Sequence, residues 1–470
     1  MECDVLVIGS GPGGYRAAVL AALRGLGTVI VEEATWGGCC LNRGCVPKKD
    51  WYHTARVLDS QRHFEKRGIV GGLRGDLAQA WRHQRKVVTA VRASYQSYLK
   101  RLGVTAIEGH ARFQDQNTVV VEPSGGIISP RAVIIATGSA PHIPEGLVVT
   151  PGRILHSDLL FDEPVPEGAR VVIVGGGVVA LEFAYILHAF GREVLWLARQ
   201  DPFARGEFST PAMKLLKTTM ADAGLTPIRA GARTLAATDA GVSVTTTDNE
   251  VLTADWALLA TGRRPVTEGL DLARAGARLD THGYIVIDAE MHAAGTAIYA
   301  IGDCVAGPMT ANRALYEAGV AIDNILAPGS HKRDLRRVPE AVYSAIELAR
   351  VGLTEEQAED EGHEPGVGFA AFETSPRALG QDEPEGYVRL IADLDSGALL
   401  GGEVLGTDAG ELIHMLTASP SLEALRRIAG TGFNHPSRSE EFQNAVETLA
   451  AKWNLQGYVF GVGDGAQDAS

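Results

Sequence analysis

No stretch of this 470-residue chain stays apolar for the roughly 20 residues that crossing a bilayer requires, so no membrane span is expected. Positive charge is short as well. Against 57 Asp and Glu stand 43 Lys and Arg, a formal net charge of −14. A nucleic-acid partner needs a clustered basic surface, and this balance argues against one. The start of the chain does not read as a secretory signal. Glu2 and Asp4 sit where such a signal needs positive charge, and glycines interrupt the run Val5-Leu6-Val7-Ile8 at once. A cytoplasmic protein is the expectation.

Cysteine is scarce, at positions 3, 39, 40, 45 and 304 only. An odd number in so long a chain does not read as an extracellular disulfide framework. Three of the five fall between positions 39 and 45, a crowding that points to redox chemistry or metal. Zinc would normally want four tetrahedral ligands, and no second Cys or His pair follows at finger spacing. Redox chemistry is favoured, and no metal is expected. What the chain has in excess is glycine, 55 residues, where average usage of about 7% would give far fewer. They gather in short turn-like groups, as suits backbone that approaches a ligand closely. The length allows roughly three domains.

Two glycine groups have a nucleotide-binding setting. Asp4-Val5-Leu6-Val7-Ile8 reads as a strand, followed by Gly9-Ser10-Gly11-Pro12-Gly13-Gly14. A helix-like stretch then leads to a second strand, Thr28-Val29-Ile30-Val31-Glu32. This is the strand–GxGxxG–helix–strand–acid order of a dinucleotide fold. Gly9 makes the tight turn, Gly11 lets amides reach a pyrophosphate at the helix N-terminus, and Gly14 lets the helix pack on the strand. Glu32 can accept from both ribose hydroxyls.

The second group follows Arg170-Val171-Val172-Ile173-Val174 as Gly175-Gly176-Gly177-Val178-Val179-Ala180, then helix, then Val194-Leu195-Trp196-Leu197-Ala198. Here Gly175 and Gly177 keep their places, Ala180 replaces the third glycine, and no carboxylate ends the strand. Arg199 and Arg205 follow instead. A missing acid together with arginines suits a ribose 2′-phosphate, so NADP(H) is favoured and NAD(H) is the alternative. Surface arginines paired with Asp201 or Glu207 are the competing explanation. The runs ending Ala136-Thr137-Gly138-Ser139 and Ala260-Thr261-Gly262 resemble each other, as if the two nucleotide units were built alike.

The most informative stretch is Gly37-Gly38-Cys39-Cys40-Leu41-Asn42-Arg43-Gly44-Cys45-Val46-Pro47-Lys48-Lys49. Cys40 and Cys45 are one helical turn plus one residue apart, so their sulfurs can meet if the segment bends. A helix N-terminus and nearby lysines would lower a thiol pKa, and the thiolate is the reactive species. This stretch, behind an N-terminal GxGxxG, resembles the FAD-dependent pyridine nucleotide–disulfide oxidoreductases. Gly109-His110-Ala111-Arg112-Phe113, Ala136-Thr137-Gly138-Ser139, Gly302-Asp303, Gly307-Pro308-Met309 and His435-Pro436-Ser437-Arg438-Ser439-Glu440 match family motifs in order. The resemblance covers nearly the whole chain.

The resemblance implies an α/β fold with two Rossmann-like domains and a C-terminal α+β dimerisation domain. FAD-domain segments would run 1–145 and 264–336, the NAD(P) domain 146–263 and the interface domain 337–470. It implies a redox disulfide between Cys40, the interchange thiol, and Cys45, the charge-transfer thiol beside the flavin. Lys49 would lie near the flavin, paired with Glu182. Ala111, Thr137, Gly138, Asp303 and Ala311 would line the FAD site, and Gly262 the pyridine-nucleotide site. His435, oriented by Glu440, would be the acid/base that serves the partner subunit of a homodimer. Read without the family, Glu440 could equally complete a capping box with Ser437.

Departures are Cys39 for the usual threonine, Ile346 for a proline, Asn434 before His435, and Asn312 where histidine is frequent. The tail has no cysteine pair, against the mercuric and large thioredoxin reductases. The dihydrolipoamide dehydrogenase-like branch is chosen, acting on a lipoyl domain or small dithiol. Val46-Pro47-Lys48-Lys49, Ala180 and the arginines lean toward an NADPH-dependent, glutathione reductase-like enzyme, which is the alternative. A non-catalytic flavoprotein would be expected to lack a cysteine or the histidine, and neither is missing.

Overall fold

Each apolar run leading into a glycine turn becomes a central parallel strand, and such strands are apolar on both faces because both are covered. The computed structural model describes residues 1–204, 207–295, 297–417 and 423–460, which form two compact units. The first comprises Met1–Gln61, Gly71–Arg199 and Ile228–Arg333. In its larger sheet Glu2–Ile8 lies between Thr28–Glu32 and Gly126–Ile135, all parallel. In its four-stranded sheet Arg170–Val174 lies between Glu193–Leu197 and Trp256–Leu259, again parallel. Helices Pro12–Leu23 and Val178–Ala189 follow the two glycine turns.

One plan is thus used twice, down to single hydrogen bonds. The Gly9 amide donates to Val31 O at 2.8 Å, and the Gly175 amide donates to Leu197 O at 2.9 Å. Added Cβ atoms on Gly9 and Gly175 would stand 2.5 Å from Ala136 O and 2.2 Å from Ala260 O respectively. The likeness of the two Ala-Thr-Gly runs has this origin, since each passes directly against a nucleotide turn.

The second unit contains Arg62–Val70, Gln200–Pro227 and the chain from Asp334 onward. Its antiparallel sheet runs in the order Glu340–Tyr343, Glu347–Gly352, Leu399–Leu405, Tyr387–Asp393, Pro365–Ala371. The helix Glu440–Trp453 packs on the last of these strands. The sequence marks only the strands around Val342 and Tyr387, because Gly366, Gly368, Gly401 and Gly402 dilute two of the others. The packing explains those glycines. A Cβ on Gly368 would stand 2.3 Å from Ala445 O of the helix, and one on Gly401 would stand 2.3 Å from Leu353 O. Among the described residues no helix is long and apolar enough to cross a membrane.

Candidate active site

After Glu32 the chain turns through Gly37 and Gly38, both left-handed at φ +95° and +62°, into the short helix Gly38–Arg43. A Cβ on Gly38 would lie 2.6 Å from Gly11 Cα, so the cysteine segment begins in backbone contact with the first nucleotide turn. Hydrogen bonds fix this arrangement. The Gly37 amide donates to Ser10 Oγ at 2.9 Å. The Ser10 hydroxyl and amide donate to Glu32 Oε2 at 2.6 and 2.8 Å, and the Ala34 amide donates to Oε1 at 2.8 Å. A carboxylate accepts about four hydrogen bonds, so the chain itself uses most of the capacity that the sequence motif assigns to ribose hydroxyls.

At Gly44 the chain bends from helix Gly38–Arg43 into helix Cys45–Asp59. A Cβ there would stand 3.3 Å from both Cys39 O and Cys40 Cα, so glycine lets the second helix fold back onto the first. The bend puts Cys45 at the helix N-terminus with its sulfur hydrogen-bonded to Cys40. Both are free thiols in this structure. The hydrogen bond from Cys40, with the charges of Lys48 and Lys49 behind it, holds Cys45 down at about 7. The same bond and burial push Cys40 well above the ordinary thiol range.

Glu182, buried on helix Val178–Ala189, meets both lysines. Lys48 Nζ is ion-paired with Oε2, and Lys49 Nζ lies 3.6 Å from Oε1. The sequence points to Lys49 alone. Neighbouring helix residues point in different directions, so the motif gives no signal that Lys48 is the closer partner.

A second network is invisible in the sequence. Ser139 Oγ donates to Asp303 Oδ2 at 2.7 Å. Arg263 Nε donates to Ser139 Oγ at 2.8 Å, its Nη2 to Ser139 O at 2.7 Å, and its Nη1 to Asp158 Oδ1 at 2.8 Å. The Cys39 thiol reaches Asp158 Oδ1 and Oδ2 at 3.8 and 3.9 Å. These partners are more than 100 residues apart in sequence, beyond any local pattern.

The turns fit dinucleotides. Gly9 and Gly14 are closed against backbone, a Cβ on Gly14 falling 1.9 Å from Gly9 O. Gly11 has nothing within 4 Å of a built Cβ, and neither has Gly138. That division, packing glycines plus one facing open space, is what close approach to a pyrophosphate needs. Thr137 Oγ1 donates to Val266 O at 2.6 Å, Ala111 is buried in strand His110–Asp115, and Ala311 opens the helix Ala311–Leu326. In the second turn Gly177 and Gly262 face open space, while the Ala180 methyl lies 3.3 Å from a Cβ built on Gly175.

Register decides what replaces Glu32 in the second unit. Ile8 pairs with Val31 and Val174 with Leu197, so Ala198 takes the place of Glu32 and exposed Arg199 that of Glu33. Arg205 lies outside the described residues.

His435 and Glu440 come together in the second unit. His435 Nδ1 and Glu440 Oε1 are 2.8 Å apart, and the Ser437 amide donates to Glu440 Oε2 at 2.7 Å. That amide and the imidazole hold the Glu440 carboxyl below its usual range. Glu440 orients the ring with one oxygen and takes the Ser437 amide with the other, but the expected capping box is not formed, because the helix is capped at Ser439 and the Ser437 hydroxyl makes no return bond. The loop is anchored by buried Arg438, whose Nη2 donates to Gln381 Oε1 and Glu383 Oε2, both at 3.1 Å.

Residues 3–318 match the pyridine nucleotide-disulphide oxidoreductase family, and residues 338–446 match the dimerisation domain of the same name. The chain is 35% identical over 455 residues to a dihydrolipoyl dehydrogenase of Haloarcula marismortui, covering 94% of this chain and 96% of that one. It is 35% identical over 466 residues to the dihydrolipoyl dehydrogenase of Thermus scotoductus, covering 95% and 97%. Among solved structures it is similar to LpdA from Mycobacterium tuberculosis, with TM-score 0.86 and 26% identity over 95% of this chain and 99% of that one. It is also similar to the Cu(II) complex of RclA, the HOCl-induced flavoprotein disulfide reductase of Escherichia coli, with TM-score 0.81 and 26% identity over 95% and 99%.

Proposed function

The chain belongs to the pyridine nucleotide-disulphide oxidoreductases, and from that premise we propose that it passes electrons between a dithiol and NADP(H) through Cys40 and Cys45. It is a flavin-dependent enzyme that uses FAD and a pyridine nucleotide, and it carries a dimerisation domain. The dithiol we propose is dihydrolipoamide or a lipoyl-bearing protein, in keeping with relatives named dihydrolipoyl dehydrogenase. FAD would be held by segments 1–145 and 264–336, through the Gly9–Gly14 turn, Glu32 and Asp303. The pyridine nucleotide would be held by segment 146–263, through the Gly175–Ala180 turn.

The observation that carries the roles of the two cysteines is the place of Cys45 at the N-terminus of helix Cys45–Asp59 with the Lys48 and Lys49 charges behind it, across the Gly44 bend from Cys40. In thiol–disulfide exchange a low-pKa thiol leaves faster and a high-pKa thiolate is the stronger nucleophile. Cys45, held at about 7, is therefore the leaving sulfur when substrate thiolate attacks Cys40. The second substrate thiol then attacks the substrate's own sulfur in the mixed disulfide, closing the substrate disulfide, and the Cys40 thiolate so released takes up a proton. His435 would remove the substrate proton and return one to Cys40, with Glu440 fixing Nδ1 so that Nε2 faces sulfur. We propose that this imidazole serves the partner subunit's cysteines. Lys48 and Lys49 stabilise the Cys45 thiolate, and Glu182 holds them in place. Bound FAD would supply the two-electron relay between the thiol pair and nicotinamide.

The choice of NADP(H) rests on Ala198 and Arg199, where the first unit has Glu32 and Glu33. The same pair favours a second reading, an NADPH-dependent reductase of a small disulfide. Steady-state turnover with lipoamide and with glutathione disulfide, each with NADH and NADPH, separates the two. Lipoamide turnover with the phosphorylated nucleotide is expected. Turnover of glutathione disulfide alone would establish the second reading, and no turnover of either would overturn both.

A further inference from the structure

We propose that the Asp158 carboxylate, fixed in place by Arg263, is a lock on Cys39, holding that sulfur out of thiol–disulfide exchange so that a three-cysteine centre works with one disulfide. The inference rests on Cys40 and Cys45 being the exchanging pair. A third thiol one residue from Cys40 is a hazard to such a centre. It can attack the disulfide by the same reaction that the substrate uses, and no added oxidant is needed.

The groups facing Cys39 oppose this. Asp158, on helix Ser157–Asp162, presents both carboxylate oxygens to the thiol at 3.8 and 3.9 Å. A hydrogen bond to a carboxylate holds the proton on sulfur, and the negative charge disfavours a thiolate beside it. Asp158 is only 9% exposed and does not swing freely. Arg263, on strand Arg263–Pro265, grips it with Nη1 at 2.8 Å and Nη2 at 3.4 Å, and is itself fixed by two bonds to Ser139. Asp303 and Cys45 add further negative character, and Arg263 is the cation set against it. Burial and these neighbours leave Cys39 at about 12, while Cys45, on the same segment, is held at about 7. Burial is the largest cause; Arg263 favours a Cys39 thiolate, and the Asp158 carboxylate facing the thiol works against it. Arg263 fixes Asp158 in place, and Asp158 is the positioning residue.

Removing the carboxylate alone should open the lock. In Asp158→Asn, Arg263 faces the thiol unpaired and Cys39 loses its proton to solvent more readily. The Cys39 thiolate then attacks Cys40 or Cys45 of the disulfide. A new bond from Cys39 forms, the Cys40–Cys45 bond breaks, and the displaced sulfur leaves as thiolate, with no net oxidation.

The test is mass-spectrometric mapping of disulfides and alkylated thiols in the oxidised holoenzyme, with flavin content recorded for each variant. The wild type should show one disulfide, Cys40–Cys45. Its Cys39 should be alkylated by iodoacetamide at pH 8 on the order of 100-fold more slowly than glutathione, with no inflection up to pH 9. Asp158→Asn should show Cys39-containing disulfides and at least about tenfold faster Cys39 alkylation, Asp158→Glu should restore the wild-type pattern, and adding Cys39→Ser to Asp158→Asn should restore the single disulfide. A wild-type Cys39 that titrates below pH 9 overturns the lock even if Asp158→Asn fails to fold. So does a folded, flavin-loaded Asp158→Asn whose Cys39 stays unreactive. A wild-type disulfide other than Cys40–Cys45 would instead remove the reading on which the proposal rests.

Discussion

Ala198 stands in the second nucleotide unit where Glu32 stands in the first, at the same step past a matched pair of parallel strands. A methyl group there removes the acceptor that a ribose 2′-hydroxyl would use, and Arg199 follows it exposed. A charge-assisted contact from Arg199 to a 2′-phosphate is worth about 1.5–3 kcal/mol. Arg199→Ala is therefore expected to weaken NADPH binding by roughly tenfold to 150-fold and to leave NADH nearly unchanged. Ala198→Glu should shift preference toward NADH. Equal dissociation constants for the two nucleotides in the wild type would remove this assignment.

Cys45 supplies a pH dependence. Its folded-state value of about 7 lies below the 9.0 of an ordinary thiol. In the reduced enzyme the thiolate is therefore abundant above neutral pH and lost as pH falls through about 7. The alkylation rate of Cys45 should rise with pH along that curve. Lys48→Met removes a cation and leaves Glu182 less neutralised, and both changes act to move the inflection upward. An inflection near 9 in the wild type would contradict the environment described for Cys45.

Much of the fold and of the redox segment is legible in the sequence because it is local. The glycine turns, the central strands and the C-x₄-C segment each announce themselves within a few residues. The strands Pro365–Ala371 and Leu399–Leu405 do not, since glycines needed for close packing erase their strand signal. Nor do the Lys48–Glu182 pair and the Cys39–Asp158–Arg263–Ser139–Asp303 chain, whose members meet only through tertiary folding. Cys39 stands out as an oddity in sequence, and its partner cannot be found there. Arg205 lies outside the described residues, so its part in nucleotide choice rests on sequence.

Gly38 is the junction between the redox segment and the first nucleotide turn. An alanine there would combine φ +62° with a Cβ 2.6 Å from Gly11 Cα. Strain and displacement of about 1–3 kcal/mol or more are expected. Gly38→Ala should lose flavin on purification or bind it at least about tenfold more weakly, whereas Gly25→Ala, strained at φ +81° but with nothing within 4 Å of its Cβ, should keep it. Full flavin occupancy in Gly38→Ala, measured by absorbance, would show that the two segments are not coupled as described.

His435 is expected to act as acid and base, a contribution of typically 10²–10⁴-fold. His435→Ala should slow dithiol turnover within that range and leave flavin content and reduction of the flavin by NADPH unaffected. Mixing His435→Ala with Cys40→Ser subunits under proven exchange should restore activity in heterodimers. Lack of restoration would place the imidazole and the cysteines of a working site on one chain.

The passage of electrons through Cys40 and Cys45 is tested most directly by anaerobic titration with dihydrolipoamide, followed in the visible spectrum. The wild type should take up two electrons with growth of a long-wavelength thiolate-to-flavin band. Cys45→Ser should bind flavin equally well and show no such band at any dithiol concentration. A Cys45→Ser enzyme that develops the band with wild-type amplitude would contradict the assignment of Cys45 as the thiol next to the flavin.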